Sequence, residues 1–149
     1  MVNKLSWEQI DQLSRKLTTI IKESGFMPDY LIGITAGGLI PLGLLAQGLG
    51  IRNILTVSAG SYTGTKQGEL KIIYLPEVDL TGKRLLLIDE VSETGKTLER
   101  ITNIIKEKYQ PSELRTATLV VNTKESKFHP DFCSLEVQDW TVFPWEKEE

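Results

Sequence analysis

The chain has 149 residues, 40% of them hydrophobic and 25% charged. That fits one soluble globular domain with a sizeable core and leaves little for a second. The formal net charge is −3 and no long basic run occurs, so a nucleic-acid surface is not expected. The apolar stretch from Leu39 to Leu49 is too short for a bilayer and contains Pro41 and Gln47. With no signal-peptide pattern and a single cysteine, Cys133, the expectations are no membrane partner, no intrachain disulfide, no cysteine zinc cluster and a cytoplasmic location.

In chain order, Ser6-Trp7-Glu8-Gln9 has the form of a capping box. Ile10, Leu13, Leu17, Ile20 and Ile21 then share one helical face, until Gly25 ends the helix and Pro28 prevents its continuation. Tyr30 to Ile34 predicts a buried strand. It leads through Thr35-Ala36-Gly37-Gly38 into an apolar helix over 39–46, whose first turn tolerates Pro41. Ile54 to Ser58 is another strand. Residues 59–68 are polar and glycine-rich, and read either as a flexible hairpin or as a lid that excludes water from a reactive intermediate. Glu69 to Leu75 returns as a strand. Leu85 to Ile88 is a short, continuous apolar run, as in a parallel strand covered on both faces. Leu98, Ile101, Ile104 and Ile105 continue at helical spacing, Pro111-Ser112 breaks the helix, and Leu114 to Val121 is a further strand. Residues 122–127 read as polar loop. His129, the sole histidine, precedes Pro130 and is expected at the surface or in packing. Alternating strands and helices without an internal repeat predict an α/β fold: a single domain over 1–149, its central, mostly parallel sheet flanked by helices.

The chemistry concentrates between the strand at 85–88 and the helix that follows. Asp89-Glu90-Val91-Ser92-Glu93-Thr94-Gly95-Lys96-Thr97 joins a strand to a helix N-terminus, where unpaired N–H groups and the helix dipole favour an anion. Thr94 and Thr97 add hydroxyl donors, and Gly95 allows close backbone approach. A loop that held only phosphate would not suit Asp89, Glu90 and Glu93. A ribose 5-phosphate would, because carboxylates accept hydrogen bonds from the sugar hydroxyls while the loop holds the phosphate. A Walker A loop is excluded, since Glu90 stands where its first glycine is required. Gly37-Gly38 alone reads as a tight turn. As a second strand–glycine–helix junction in a parallel sheet, it also offers N–H groups to a second anion at the same sheet edge.

Residues 88–97 resemble the phosphoribosyl-pyrophosphate motif of type I phosphoribosyltransferases, in which two acids, and a third three residues on, precede Thr-Gly-Lys/Gly-Thr. Three further stretches extend the resemblance across nearly the whole chain. Gly37-Gly38-Leu39-Ile40-Pro41 is similar to the pyrophosphate loop, the segment opening at Ser61-Tyr62 to the mobile hood, and Trp140 with Pro144-Trp145 to the C-terminus of xanthine-guanine and related 6-oxopurine enzymes. Without the resemblance, that aromatic tail reads as a packed end.

The resemblance implies transfer of ribose 5-phosphate from phosphoribosyl pyrophosphate to guanine, xanthine or hypoxanthine, with Mg2+ as cofactor and a dimer or tetramer as the assembly. It implies that Asp89 and Glu90 hold the ribose hydroxyls and position the metal, mostly indirectly. Ser92, Thr94, Gly95, Lys96 and Thr97 would hold the 5-phosphate, and Thr35, Ala36, Gly37, Gly38 and Lys66 the pyrophosphate. Glu93 would face purine N7 as general acid or base, Lys124 would donate to the 6-oxo group, Trp140 would stack on the base, and the Thr141 backbone would read its edge. The chain departs from the family at Ala36 and Gly68, where basic residues are usual, and at Glu93, where Asp is commoner; Lys66 is the candidate to cover part of the missing charge. These departures keep open a second reading, a non-catalytic nucleotide or phosphoribosyl-pyrophosphate sensor.

Overall fold

The computed structural model describes residues 2–61, the last by its backbone, and 70–146. Six strands form the main sheet in the order β4-β3-β2-β5-β6-β7. They are β2 (Tyr30–Thr35), β3 (Ile54–Ser61), β4 (Leu70–Tyr74), β5 (Arg84–Ser92), β6 (Glu113–Asn122) and β7 (Phe132–Val137). All neighbours pair in parallel except β3 and β4, which are antiparallel. Of the stretch expected as a hood, 59–68, residues 59–61 instead extend β3, and the rest, with Lys66 and Gly68, lies outside the described residues; Ser61 and Leu70 pair at its base.

Three helices cover the sheet: α1 (Trp7–Ser24), α2 (Leu39–Leu49) and α3 (Lys96–Tyr109). The capping box at α1 forms as its sequence predicts: the Ser6 hydroxyl accepts from the Gln9 N–H at 3.1 Å, and the Gln9 side chain accepts from the Ser6 N–H at 2.8 Å. At the other end Gly25 takes a left-handed conformation, φ 80°. Strand residues alternate between two cores. Leu31, Leu86 and Ile88 pack with Ile10, Leu17 and Ile21 of α1 and Leu42 and Leu45 of α2. Ile32, Leu85 and Leu87 pack with Leu98, Ile101 and Ile105 of α3. Gly33 brings α2 down onto the sheet, since a Cβ there would lie 2.6 Å from Leu42 Cδ2. Among the described residues no helix is long and apolar enough to cross a membrane.

Two features depart from the expected elements. The strand at 85–88 does not end before the acids; β5 runs on through Ser92 because its ladder with β6 continues, Asp89 opposite Thr118 and Ser92 opposite Val121. Its pairing with β2 stops at Gly33 opposite Ile88, so from Asp89 onward one edge of β5 is open. Two short strands were also not expected. β1 (Val2–Lys4) and β8 (Trp140–Val142) pair in parallel, Val2 opposite Trp140, and tie the N-terminus to the aromatic tail. Behind them, Phe143 stacks on Trp145 at 4.8 Å between ring centroids, and Trp145 meets Trp7 at 5.8 Å.

Candidate active site

The chain leaves β2 for α2 and β3 on one side of the sheet, and leaves β5 for α3 and β6 on the other. The C-terminal ends of β2 and β5 therefore diverge at a switch point, where open α/β sheets place their ligands. A cavity of about 360 Å³ lies there. Thr35 and Gly37 line one wall, Asp89, Glu90, Glu93, Thr94, Gly95 and Thr97 another, and Ala59, Gly60 and Leu70 from the base of the β3–β4 hairpin a third. Its size suits a small ligand.

The acids sit on the open edge of β5. Asp89 is buried, and its Oδ1 accepts the Glu90 N–H at 2.9 Å. Burial pushes the Asp89 carboxyl well above the usual carboxylate range, and the neighbouring Glu90 charge pushes the same way. Burial also raises Glu90, and the charge of Glu146 in the tail adds to it. Burial thus disfavours the charged form of both carboxyls. Glu90 reaches over the β2 loop: a Cβ on Gly37 would fall on the Glu90 carboxylate itself. Gly38 is held as tightly, with Ile34 O at 2.6 Å and Ile88 O at 2.8 Å from a Cβ built there. The glycine pair thus lets the loop close over β5, which a tight-turn reading alone would not require. Ala36 is exposed. The Thr35 hydroxyl shares a hydrogen bond with the Ser58 hydroxyl at 2.8 Å.

The α3 N-terminus carries no capping side-chain hydrogen bond at Gly95, whose φ is 87°, so the first turn faces the cavity with backbone N–H groups still to be satisfied. Thr94 Oγ1 accepts the Lys96 N–H at 3.3 Å, and Lys96 and Thr97 are exposed. The loop is braced from behind by the 122–128 turn. The Lys127 N–H donates to Thr94 O at 2.9 Å. The Ser92 hydroxyl is turned that way too, donating to Phe128 O and sharing a hydrogen bond with the Ser126 hydroxyl, both at 3.0 Å. Ser92 lines the cavity, but its hydroxyl is engaged with the brace. A Cβ at Gly95 would meet Phe128 N at 2.7 Å. Gly95→Ala is expected to cost about 2–3 kcal/mol from overpacking and the left-handed backbone together; urea denaturation with an unchanged midpoint would contradict this account.

Glu93 Oε2 accepts from Asn122 Nδ2 at 3.1 Å, while Glu93 Oε1 is buried with no hydrogen-bond partner among the described residues. Asn122 was not singled out from sequence; it sits at the end of β6 in a polar run with no distinguishing local pattern. Lys124, the expected donor to the base, is exposed on the turn, where its backbone N–H donates to Asn122 Oδ1 at 3.0 Å. It is not among the cavity-lining residues. Trp140 is 58% exposed, and Thr141 is buried with its hydroxyl unpartnered. Neither lines the cavity, although Glu146 of the same tail is close enough to act on Glu90. His129 is exposed, and Asp131 is structural: its Oδ2 accepts the Thr116 N–H at 2.8 Å, and its own N–H donates to the Thr116 hydroxyl at 3.0 Å.

A strand-borne acid pair and a helix N-terminus thus share one switch-point cavity in an α/β protein. The phosphoribosyl transferase domain profile matches residues 6–148, and the chain belongs to that family. A xanthine-guanine phosphoribosyltransferase of Desulfotalea psychrophila is 32% identical over 97% of this chain and 86% of its own length. One of Cereibacter sphaeroides is 29% identical over 95% and 85%. The crystal structure of a purine phosphoribosyltransferase from Pyrococcus horikoshii superposes with a TM-score of 0.87 at 32% identity, covering 99% of this chain and 95% of that one. The expected α/β fold, its mostly parallel sheet and the family resemblance are all borne out.

Proposed function

We propose that this phosphoribosyltransferase transfers ribose 5-phosphate from phosphoribosyl pyrophosphate to a 6-oxopurine and releases pyrophosphate. The observation that carries the reading is the open edge of β5, where Asp89 and Glu90 meet the glycine loop of β2 on one side and the α3 N-terminus on the other. Such a cavity offers carboxylates to the ribose hydroxyls, backbone N–H groups to the 5-phosphate, and the Thr35–Gly38 loop to the diphosphate. In the reaction the bond from the sugar C1 to the diphosphate oxygen breaks and its electron pair leaves with pyrophosphate. The purine nitrogen lone pair then bonds to C1, and Glu93 takes the ring proton through N7. Trp140 gives the base a stacking face.

The donor set fits Mg2+. It is oxygen-only, and burial disfavours the charged form of both Asp89 and Glu90, which a cation would offset. Among the described residues no three His, Cys, Asp or Glu side chains group to hold a metal, so the ion would take its remaining ligands from diphosphate oxygens and water. When bound, Mg2+ neutralises charge on the leaving pyrophosphate. A dimer or tetramer in the cytoplasm belongs to the same reading.

The test is turnover of guanine, xanthine, hypoxanthine and adenine with phosphoribosyl pyrophosphate, with and without Mg2+. We expect Mg2+-dependent formation of at least one 6-oxopurine nucleotide and none from adenine. The exposed Ala36, where the family usually has a basic residue, favours the second reading, a nucleotide sensor. Binding of GMP without turnover of any base would establish the sensor and end the enzyme reading.

A further inference from the structure

We propose that Asn122 is the positioning residue for Glu93, holding one carboxylate oxygen so that the other is the one offered to the base. The inference rests on the phosphoribosyltransferase reading for its function, but the pairing itself stands on the geometry. Asn122 is 3% exposed and anchored at the end of β6, opposite Val137 of β7. Its Oδ1 accepts two backbone N–H groups of the following turn, from Lys124 at 3.0 Å and Glu125 at 3.1 Å. Those two bonds fix which way the amide faces, because the NH2 group has no hydrogen-bonding use for N–H donors. Toward Glu93 the side chain can therefore only donate, and Nδ2 lies 3.1 Å from Oε2.

The two oxygens of Glu93 are thereby made unequal. Oε2 is partnered; Oε1 is buried and, among the described residues, unpartnered. A buried acceptor without a donor is costly, and Glu93 lines the cavity, so a donor brought by a ligand completes it. A protonated ring nitrogen is such a donor. A second turn of the chain, far from the acids in sequence, thus decides which oxygen works. The turn that braces the phosphate loop through Lys127 also sets Glu93, so one segment registers both ends of the ligand.

The experiment is a kinetic double-mutant cycle. Asn122→Asp keeps the oxygen that accepts the turn N–H groups and replaces the donor with a second acceptor. We expect kcat to fall about 30-fold or more and KM for phosphoribosyl pyrophosphate to stay within about threefold, with a lower Tm at neutral pH because a second carboxylate is buried against Glu93. Asn122→Ala should also lower kcat, yet lower it by less than about twofold further when Glu93 is already Gln. Losses that multiply in the double variant, or a parent-like kcat in Asn122→Asp, would overturn the assignment. Nuclear magnetic resonance supplies a readout independent of turnover. The Asn122 side-chain NH2 signals should move, and exchange faster with solvent, in Glu93→Ala; unchanged signals overturn the pairing. Should the parent protein turn over no base, the proposed reaction fails, while these signals still decide the pairing.

Discussion

Replacing Glu93 by Gln is expected to lower kcat by about 10²–10³-fold, the usual range for loss of a general acid or base, while GMP affinity changes by no more than about threefold. Gln has the shape of Glu, and its carbonyl oxygen can still accept from Asn122 Nδ2, so the contact at 3.1 Å survives. What is lost is a group at the Oε1 position able to take up a proton. A purely steric or packing role for residue 93 predicts the opposite result, little change in either quantity. Steady-state kinetics with guanine and calorimetric titration with GMP separate the two. Equal losses in kcat and in GMP affinity would mean that Glu93 binds rather than transfers a proton.

Asp89→Asn should move activity and stability in opposite directions. Asp89 is buried beside Glu90, and its carboxyl is held well above the ordinary value of 3.8. A group whose pKa is raised on folding binds its proton more tightly in the folded state. Its charge therefore penalises the fold; the penalty is absent below the unfolded pKa and grows as pH rises toward the folded one. Asn removes that charge and keeps an oxygen to accept the Glu90 N–H, now at 2.9 Å. At pH 7 without ligand, Tm should rise by about 2–6 °C, equivalent to about 1–2 kcal/mol. The gain should shrink as pH is lowered toward 4. Turnover should fall by about 10²-fold or more, because one of the two carboxylates proposed to hold the ribose and the cation is gone. Thermal melts from pH 4 to 8 decide the matter: a pH-independent Tm difference, or a lower Tm at neutral pH, would show that Asp89 is not a strained charge.

The placing of the acids beside a helix N-terminus was legible in sequence because the β5–α3 junction is local. Strand, carboxylates, Thr-Gly-Lys-Thr and helix follow one another without a gap, and the apolar spacing on either side sets the elements. The length of β5 was less legible. Four apolar residues mark where it is covered on both faces, but its ladder with β6 carries on through Asp89 and Glu90, whose polarity reads as loop. Contacts distant in sequence were not legible. Asn122 meets Glu93 across 29 positions, and nothing in Val121-Asn122-Thr123-Lys124 tells the buried amide from the exposed lysine two places on. Ser92 illustrates the same limit. Its hydroxyl lies in a phosphate-type motif, yet Ser126 and Phe128 claim it from the far side of the turn. β1 and β8, three residues each, are too short to show a period, and each exists only through the other.

That last pairing has a consequence for how the polypeptide is handled. Trp140 is kept in place by a ribbon whose other half is Val2–Lys4, and the Leu5 N–H closes it on Val142 O at 3.0 Å. The aromatic segment at 140–145 is splinted by residues 2–4. Removing residues 2–4, or crowding them with a fused segment, would therefore be felt more than 130 residues away, as a change in how Trp140 and its neighbours are presented.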